Sequence, residues 1–375
     1  MPPINVMIKP SSGNCNLRCE YCFYYDTMAK REQPSYGFMT EQTLEAVIRE
    51  VLAFAEGECT IAYQGGEPTL RGLDFFKKSI ELQKKHNVNK VRINNALQTN
   101  GYSIDREWAE FFAEHKFLIG VSIDGVPKVH DRYRKNAKGE GSFHQVIKTV
   151  DLFRSTGVEF NILSVVNGKS ARQIERNYQF FKKNGLDYLQ FIACLDPLGE
   201  EPGKREYSLT PEAYGHFLIS LFDLWYEDLK RGEQPYIRQF ENYIAMLLGH
   251  APESCDMRGV CGNQYVVEAD GSVYPCDFYV LDDKRLGNFN DNTVVEIDEA
   301  RKKIRFVEES MEHSETCRQC RYYALCRGGC RRNRQPQEPH EQYFCESFRM
   351  FFDACLPRML EIADRIKQGS RGQNE

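Results

Sequence analysis

Short apolar runs alternate with longer amphipathic stretches along the first part of the chain. The runs Ile4 to Lys9, Cys59 to Tyr63, Val91 to Leu97, Phe117 to Ile123, Glu159 to Val166 and Tyr188 to Ala193 read as strands. The stretches near Glu41–Glu56, Leu73–His86, Asp105–Glu114, Ser142–Ser155, Ala171–Lys183 and Pro211–Arg231 read as helices. Thr40 is placed to cap the first of them, with Glu41 in the first turn, where the helix dipole favours negative charge. Six strand-then-helix units predict a parallel sheet, because parallel neighbours need a crossover helix. Six fall short of the eight that close a full barrel. Residues 1–235 are therefore expected to form an α/β domain, an open, partial (β/α)6 TIM-like barrel, working at the C-terminal ends of its strands.

The remainder is different. Residues 236–350 hold a cysteine-rich region with few long helical patterns. Within it Val266 to Tyr274 predicts a hairpin turning at Asp270-Gly271. Residues 351–375 carry most of a final amphipathic helix, expected over Glu346 to Lys367 with a kink at Pro357, and a polar, frayed tail.

A chain of 375 residues with 41% hydrophobic and 27% charged residues is ordinary for a globular protein of two or three domains. A formal net charge of −5 argues against a general nucleic-acid or anionic-membrane binder, which needs excess basic charge. No apolar run approaches the length of a membrane span, and the first residues lack the order of a signal peptide, so a cytoplasmic location is expected. No coiled-coil pattern appears, and a monomer is the default expectation. The 14 cysteines change the picture most. In a large chain without a secretion signal, clustered cysteines point to metal ligation or redox chemistry rather than a disulfide framework.

Cys15-Asn-Leu-Arg-Cys19-Glu-Tyr-Cys22 follows the first strand. Three thiolates on one loop hold three irons of a [4Fe–4S] cluster, which normally takes four cysteines. The iron left over has an open position, which is what a catalytic metal site needs. A zinc loop is the alternative. With the aromatic Tyr21 before its last cysteine, this motif on the first loop of a six-fold βα chain resembles the radical S-adenosylmethionine superfamily. Gln64-Gly65-Gly66-Glu67-Pro68, at the end of the second strand, resembles the segment that sits against the methionine part of the cofactor in that superfamily. Glycines let a polar backbone approach closely, and a carboxylate there meets an ammonium group. The resemblance extends to Gln98 in Gln-Thr-Asn-Gly101, Ser122 in Ser-Ile-Asp-Gly125, Arg134, and Leu195, which by the same analogy packs on the adenine.

Eight cysteines lie between Cys255 and Cys345. Their spacing resembles the SPASM domain, which carries two auxiliary [4Fe–4S] clusters in peptide-modifying radical enzymes. The resemblance assigns Cys255, Cys261, Cys276 and Cys330 to one cluster, and Cys317, Cys320, Cys326 and Cys345 to the other. Spacing alone would instead group Cys317, Cys320, Cys326 and Cys330 as a zinc knuckle. Cys59, Cys194 and Cys355 sit in apolar contexts and read as buried hydrophobes.

Tyr274-Pro-Cys276-Asp277-Phe-Tyr279 resembles the segment that supplies the catalytic base in anaerobic sulfatase-maturating enzymes, and Asp277 is the matching residue. The likeness continues through Leu189 to Ile192, Cys194 to Pro197, Leu221 to Asp228 and Cys326 to Cys330. It implies oxidation of a Cys or Ser in an unfolded sulfatase segment to Cα-formylglycine. The expected cofactors are three [4Fe–4S] clusters and S-adenosyl-L-methionine, with flavodoxin or ferredoxin as electron donor and the second electron leaving through the auxiliary clusters. Tyr24 and Tyr25 either guide the peptide or are ordinary loop residues. Two other readings stay open: a SPASM enzyme making a thioether, crosslink or epimer in a ribosomal peptide, and a zinc-stabilised scaffold without catalysis.

Overall fold

The computed structural model describes residues 3–334 and 341–371. The strands are β1 (Ile4–Ile8), β2 (Glu58–Tyr63), β3 (Arg92–Thr99), β4 (Leu118–Ser122), β5 (Glu159–Val166), β6 (Tyr188–Ala193), β7 (Tyr236–Ile237), β8 (Tyr265–Val267), β9 (Ser272–Tyr274) and β10 (Gly287–Asn288). Helices follow each of the first six strands, as the alternation predicts. The chain forms two units, each assembled from separated segments. The first takes the chain to Ile123, then His130–Asn161 and Asn263–Phe306. The second takes Asp124–Val129, Ile162–Gly262 and the chain from Val307 onward.

In the first unit β1 to β4 pair in parallel, with Val6 opposite Ile61, Ile61 opposite Asn95, and Leu97 opposite Ile119. Helix Glu41–Phe54 starts where expected, since the Thr40 hydroxyl accepts the Thr43 N–H at 3.1 Å. It buries Leu44, Val47, Ile48 and Val51. Helices Leu73–His86 and Arg106–Glu114 bring an aromatic layer to the sheet, Tyr63 on Phe76 at 5.0 Å and Phe76 on Trp108 at 5.2 Å between centroids.

One placement differs from the sequence reading. The hairpin β8–β9 forms with the expected turn, but it does not stand apart with the cysteine-rich region. β8 pairs in parallel with β1, Val6 opposite Tyr265 and Ile8 opposite Val267. The physical reason is the free edge of β1, whose backbone groups need partners. Cys276 and Asp277, just beyond β9, belong to the first unit as a result.

In the second unit β5, β6 and β7 pair in parallel. Helix Pro211–Lys230 is capped by Thr210 and packs on the last helix, Cys345–Arg371. Gly215 permits the approach, since a Cβ there would lie 2.8 Å from Met350 Sδ. The last helix runs through Pro357 as one element. Cys59, Cys194 and Cys355 are buried, as their apolar contexts suggest. Among the described residues no helix is long and apolar enough to cross a membrane.

Ile8 is fully buried on β1 between β2 and β8. Ile8→Ala is expected to cost about 2–5 kcal/mol of stability, read as a lower urea midpoint. An unchanged midpoint would show that this edge pairing contributes little.

Candidate active site and the cysteine groups

The loop bearing Cys15, Cys19 and Cys22 leaves the C-terminal end of β1 and is bound backbone to backbone by the segment after β2. Gln64 N–H donates to Ile8 O at 3.0 Å, Gly66 N–H to Ser12 O at 2.8 Å and Glu67 N–H to Asn14 O at 2.8 Å. This is why both glycines stand there. Gly65 has φ of +132°, and a Cβ on Gly66 would lie 2.1 Å from Asn14 O.

Glu67 is hydrogen-bonded within its own chain. It is 1% exposed and accepts from Thr69 N at 3.2 Å, Thr69 Oγ1 at 2.8 Å, Thr99 Oγ1 at 2.8 Å and Asn100 N at 2.8 Å. Three of these donors converge on Oε1 and one reaches Oε2, which keeps a free acceptor site. Burial raises its pKa from the ordinary value, and these donors oppose that rise. Glu67 thus ties the end of β2 to the segment after β3. Asn100 continues the tie, donating to Asn16 Oδ1 at 2.7 Å and toward Cys15 Sγ at 3.7 Å.

Of the other expected cofactor contacts of this unit, Gln98 and Ser122 lie at strand ends, Tyr21 on the cysteine loop and Arg134 just past Tyr133, where a helix ends. Gln98 Nε2 donates to Ser122 Oγ at 3.2 Å. Tyr21 is buried against Tyr133, centroids 5.7 Å apart, with the Arg134 guanidinium 5.5 Å from its ring. Leu195 belongs to the second unit and is half-buried.

Asp277 is 7% exposed and held from two strand ends. Lys9, just past β1, forms an ion pair with it, and Gln64 Nε2 donates to its Oδ2 at 2.6 Å. Lys9 is fully buried, with its ammonium 3.9 Å from the centroid of the Tyr24 ring. Tyr24 donates to Glu268, which also accepts from Arg31 Nη1 at 2.8 Å. Burial and the Glu268 carboxylate push the Tyr24 hydroxyl well above its ordinary pKa, so it stays a donor. At 3% exposure Tyr24 is a core residue rather than a peptide guide; Tyr25 is 63% exposed. The sequence reading missed Lys9, Arg31 and Glu268. The one signal available was a lysine closing an apolar strand.

In the second unit the cysteines separate into two neighbourhoods. Cys330 is pushed up to about 12 by burial, with Cys255 and Cys261 adding to the rise. Cys326 is pushed up to about 12 by burial, with Cys345, Cys317 and Cys320 adding to it. The thiols of Cys255 and Cys261 thus bear electrostatically on Cys330. Arg334 knits this neighbourhood, donating to Ser310 O at 2.6 Å, Gly259 O at 2.9 Å and Gly329 O at 3.1 Å, while Cys261 N–H donates to Ser310 Oγ at 2.9 Å.

Comparison with known proteins accords with this geometry. Residues 10–181 match the radical SAM superfamily and residues 255–321 an iron–sulfur cluster-binding domain. Fold and site thus define a radical SAM protein with an additional cluster-binding domain. A cysteine-type anaerobic sulfatase-maturating enzyme of Clostridium perfringens is 47% identical over 98% of this chain and 100% of its own. A serine-type enzyme of Bacteroides thetaiotaomicron is 34% identical over 95% of this chain and 90% of its own. The solved structure of native anSMEcpe with bound AdoMet and Cp18Cys peptide superposes with a TM-score of 0.93 at 47% identity, covering 97% of this chain and 100% of that one. The chain belongs to the family of anaerobic sulfatase-maturating enzymes.

Gly66→Ala forces the two backbones apart at the cysteine loop. Reconstituted protein is expected to lose about four irons per chain, one cluster's content, and keep the rest. Full iron content would show the close approach to be dispensable.

Proposed function

We propose that this protein oxidises a cysteine in an unfolded sulfatase segment by two electrons to a thioaldehyde, which water hydrolyses to Cα-formylglycine with release of hydrogen sulfide. The observation that carries the reading is Asp277, which lies beside Cys276 and is held between the ends of β1 and β2 in a chain of this family. The cysteine loop fits a three-thiolate cluster with one open iron, and Gln98, Ser122, Tyr21 and Arg134 are the side chains we assign to S-adenosylmethionine. When bound there, cluster and cosubstrate would supply the one-electron chemistry that activates the β-carbon of the substrate residue.

The protein's own part is proton handling and positioning. The buried Lys9 ammonium pairs with the Asp277 carboxylate, and Gln64 fixes its orientation. Each carboxylate oxygen retains a lone pair, so Asp277 is able to accept the substrate thiol proton once the peptide lies within hydrogen-bond reach. Cys276 keeps the ligand role the resemblance gave it, and auxiliary clusters, when bound, would accept the second electron. A flavodoxin or ferredoxin supplies reducing electrons, the enzyme works as a monomer, and the cytoplasm keeps its cysteines reduced. We assign residues 1–235 to the radical SAM barrel, 236–350 to the SPASM region and 351–375 to the terminal helix and tail.

Cysteine is favoured over serine as the substrate residue because the relatives at 47% and 43% identity are cysteine-type, whereas those at 34% and 31% are serine-type. A peptide carrying Cys-x-Pro-x-Arg is expected to be converted faster than its serine counterpart; the reverse order would overturn that choice.

Asp277→Asn alone leaves Lys9 buried without a counter-ion, at a cost of about 3–5 kcal/mol. Lys9→Met with Asp277→Asn removes the charge imbalance. The double variant is expected to recover stability and all three clusters, yet form formylglycine about 10²- to 10⁴-fold more slowly. Wild-type turnover by the stable double variant would remove Asp277 from the mechanism.

A further inference from the structure

Asn100 makes a contact that the proposed reaction has not used. Its backbone N–H is fixed by Glu67 Oε2 at 2.8 Å, and its side chain is 9% exposed as a residue. The amide orientation is settled by its neighbours: Tyr102 N–H donates to Oδ1 at 2.9 Å, so the opposite end must be the NH₂ group. That group donates to Asn16 Oδ1 at 2.7 Å and faces Cys15 Sγ at 3.7 Å. Asn16 is itself anchored, donating to Ser103 Oγ at 2.9 Å. Cys15 Sγ has a second donor in Leu17 N–H at 3.4 Å.

We infer that Asn100 tunes the reduction potential of the cluster held by Cys15, Cys19 and Cys22 through its N–H···S contact with Cys15. The argument rests on the reading that Cys15 is a cluster ligand. Reduction adds an electron whose charge spreads onto the thiolate sulfurs. A donor aimed at one of them stabilises the reduced form more than the oxidised form, and hydrogen bonds to sulfur are among the levers that set such potentials. Donors at Cys15 act in a half-buried setting, where a dipole counts for more than in water. Because Glu67 positions Asn100, the segment after β2 bears on the cluster indirectly, without touching it.

The test is an anaerobic redox titration of reconstituted protein followed by electron paramagnetic resonance, reading the reduced-cluster signal that changes on adding S-adenosylmethionine. Asn100→Leu keeps the branched outline of the side chain and removes the donor. Its midpoint is expected to move to a more negative potential, so that the reduced fraction at a fixed solution potential falls several-fold. Asn100→Asp keeps the acceptor for Tyr102 N–H but turns a carboxylate oxygen toward Cys15, and is expected to move further in the same direction. A wild-type midpoint in Asn100→Leu with full iron content would overturn the inference. Should Asn100→Leu fail to assemble its cluster, Asn100→Asp decides: a more negative midpoint supports tuning, and an unchanged one leaves only a structural role. Wild-type protein with no cosubstrate-sensitive signal would instead remove the cluster assignment itself.

Discussion

The site depends on a backbone contact between two loops that are distant in sequence. Gly66 and Glu67 donate their N–H groups to Ser12 and Asn14, so the turn after β2 is fastened to the cysteine loop after β1. A side chain at position 66 would collide with main chain, which cannot swing aside as a flexible side chain can. The Glu67 carboxylate extends the fastening to the segment after β3, where Thr99 and Asn100 donate to it. Three strand ends thereby act as one rigid support for a loop that would otherwise be free to move. Radical chemistry needs such support, because the protein's contribution is to place reactants and to exclude competing reactions.

A second constraint comes from burying charge. Lys9, Asp277, Glu268 and Arg31 are all removed from water in the first unit. Charges taken out of water are costly unless paired, and pairing fixes their relative positions. Lys9 with Asp277 and Arg31 with Glu268 satisfy this, and Tyr24 bridges the two pairs through its ring and its hydroxyl. The arrangement requires β8 to lie on β1, since Glu268 and Asp277 arrive on the hairpin. An aspartate that a local view would read as a turn residue is thereby held between two strand ends, where we propose that it accepts a proton.

The strand–helix alternation was legible because each element carries its own periodicity, and β5 and β6 end where the apolar runs end. The cysteine loop and the glycine pair were legible because their spacing is local. The pairing of β8 with β1 was not, since it joins residues some 260 positions apart and nothing in either strand specifies the partner. The internal commitment of Glu67 was also hidden: a carboxylate beside two glycines looks the same whether it faces a ligand or its own chain. Lys9 read as the end of a strand, and only the tertiary structure shows its partner.

The most direct measurement is the fate of a sulfatase-type Cys-x-Pro-x-Arg peptide incubated anaerobically with reconstituted protein, S-adenosylmethionine and reductant, read by mass spectrometry. Conversion of the cysteine to an aldehyde that traps with a hydrazine reagent, in step with 5′-deoxyadenosine release, is the outcome the account requires. Cosubstrate cleavage with the peptide left unchanged, or a product carrying a thioether or crosslink in place of the aldehyde, would contradict it.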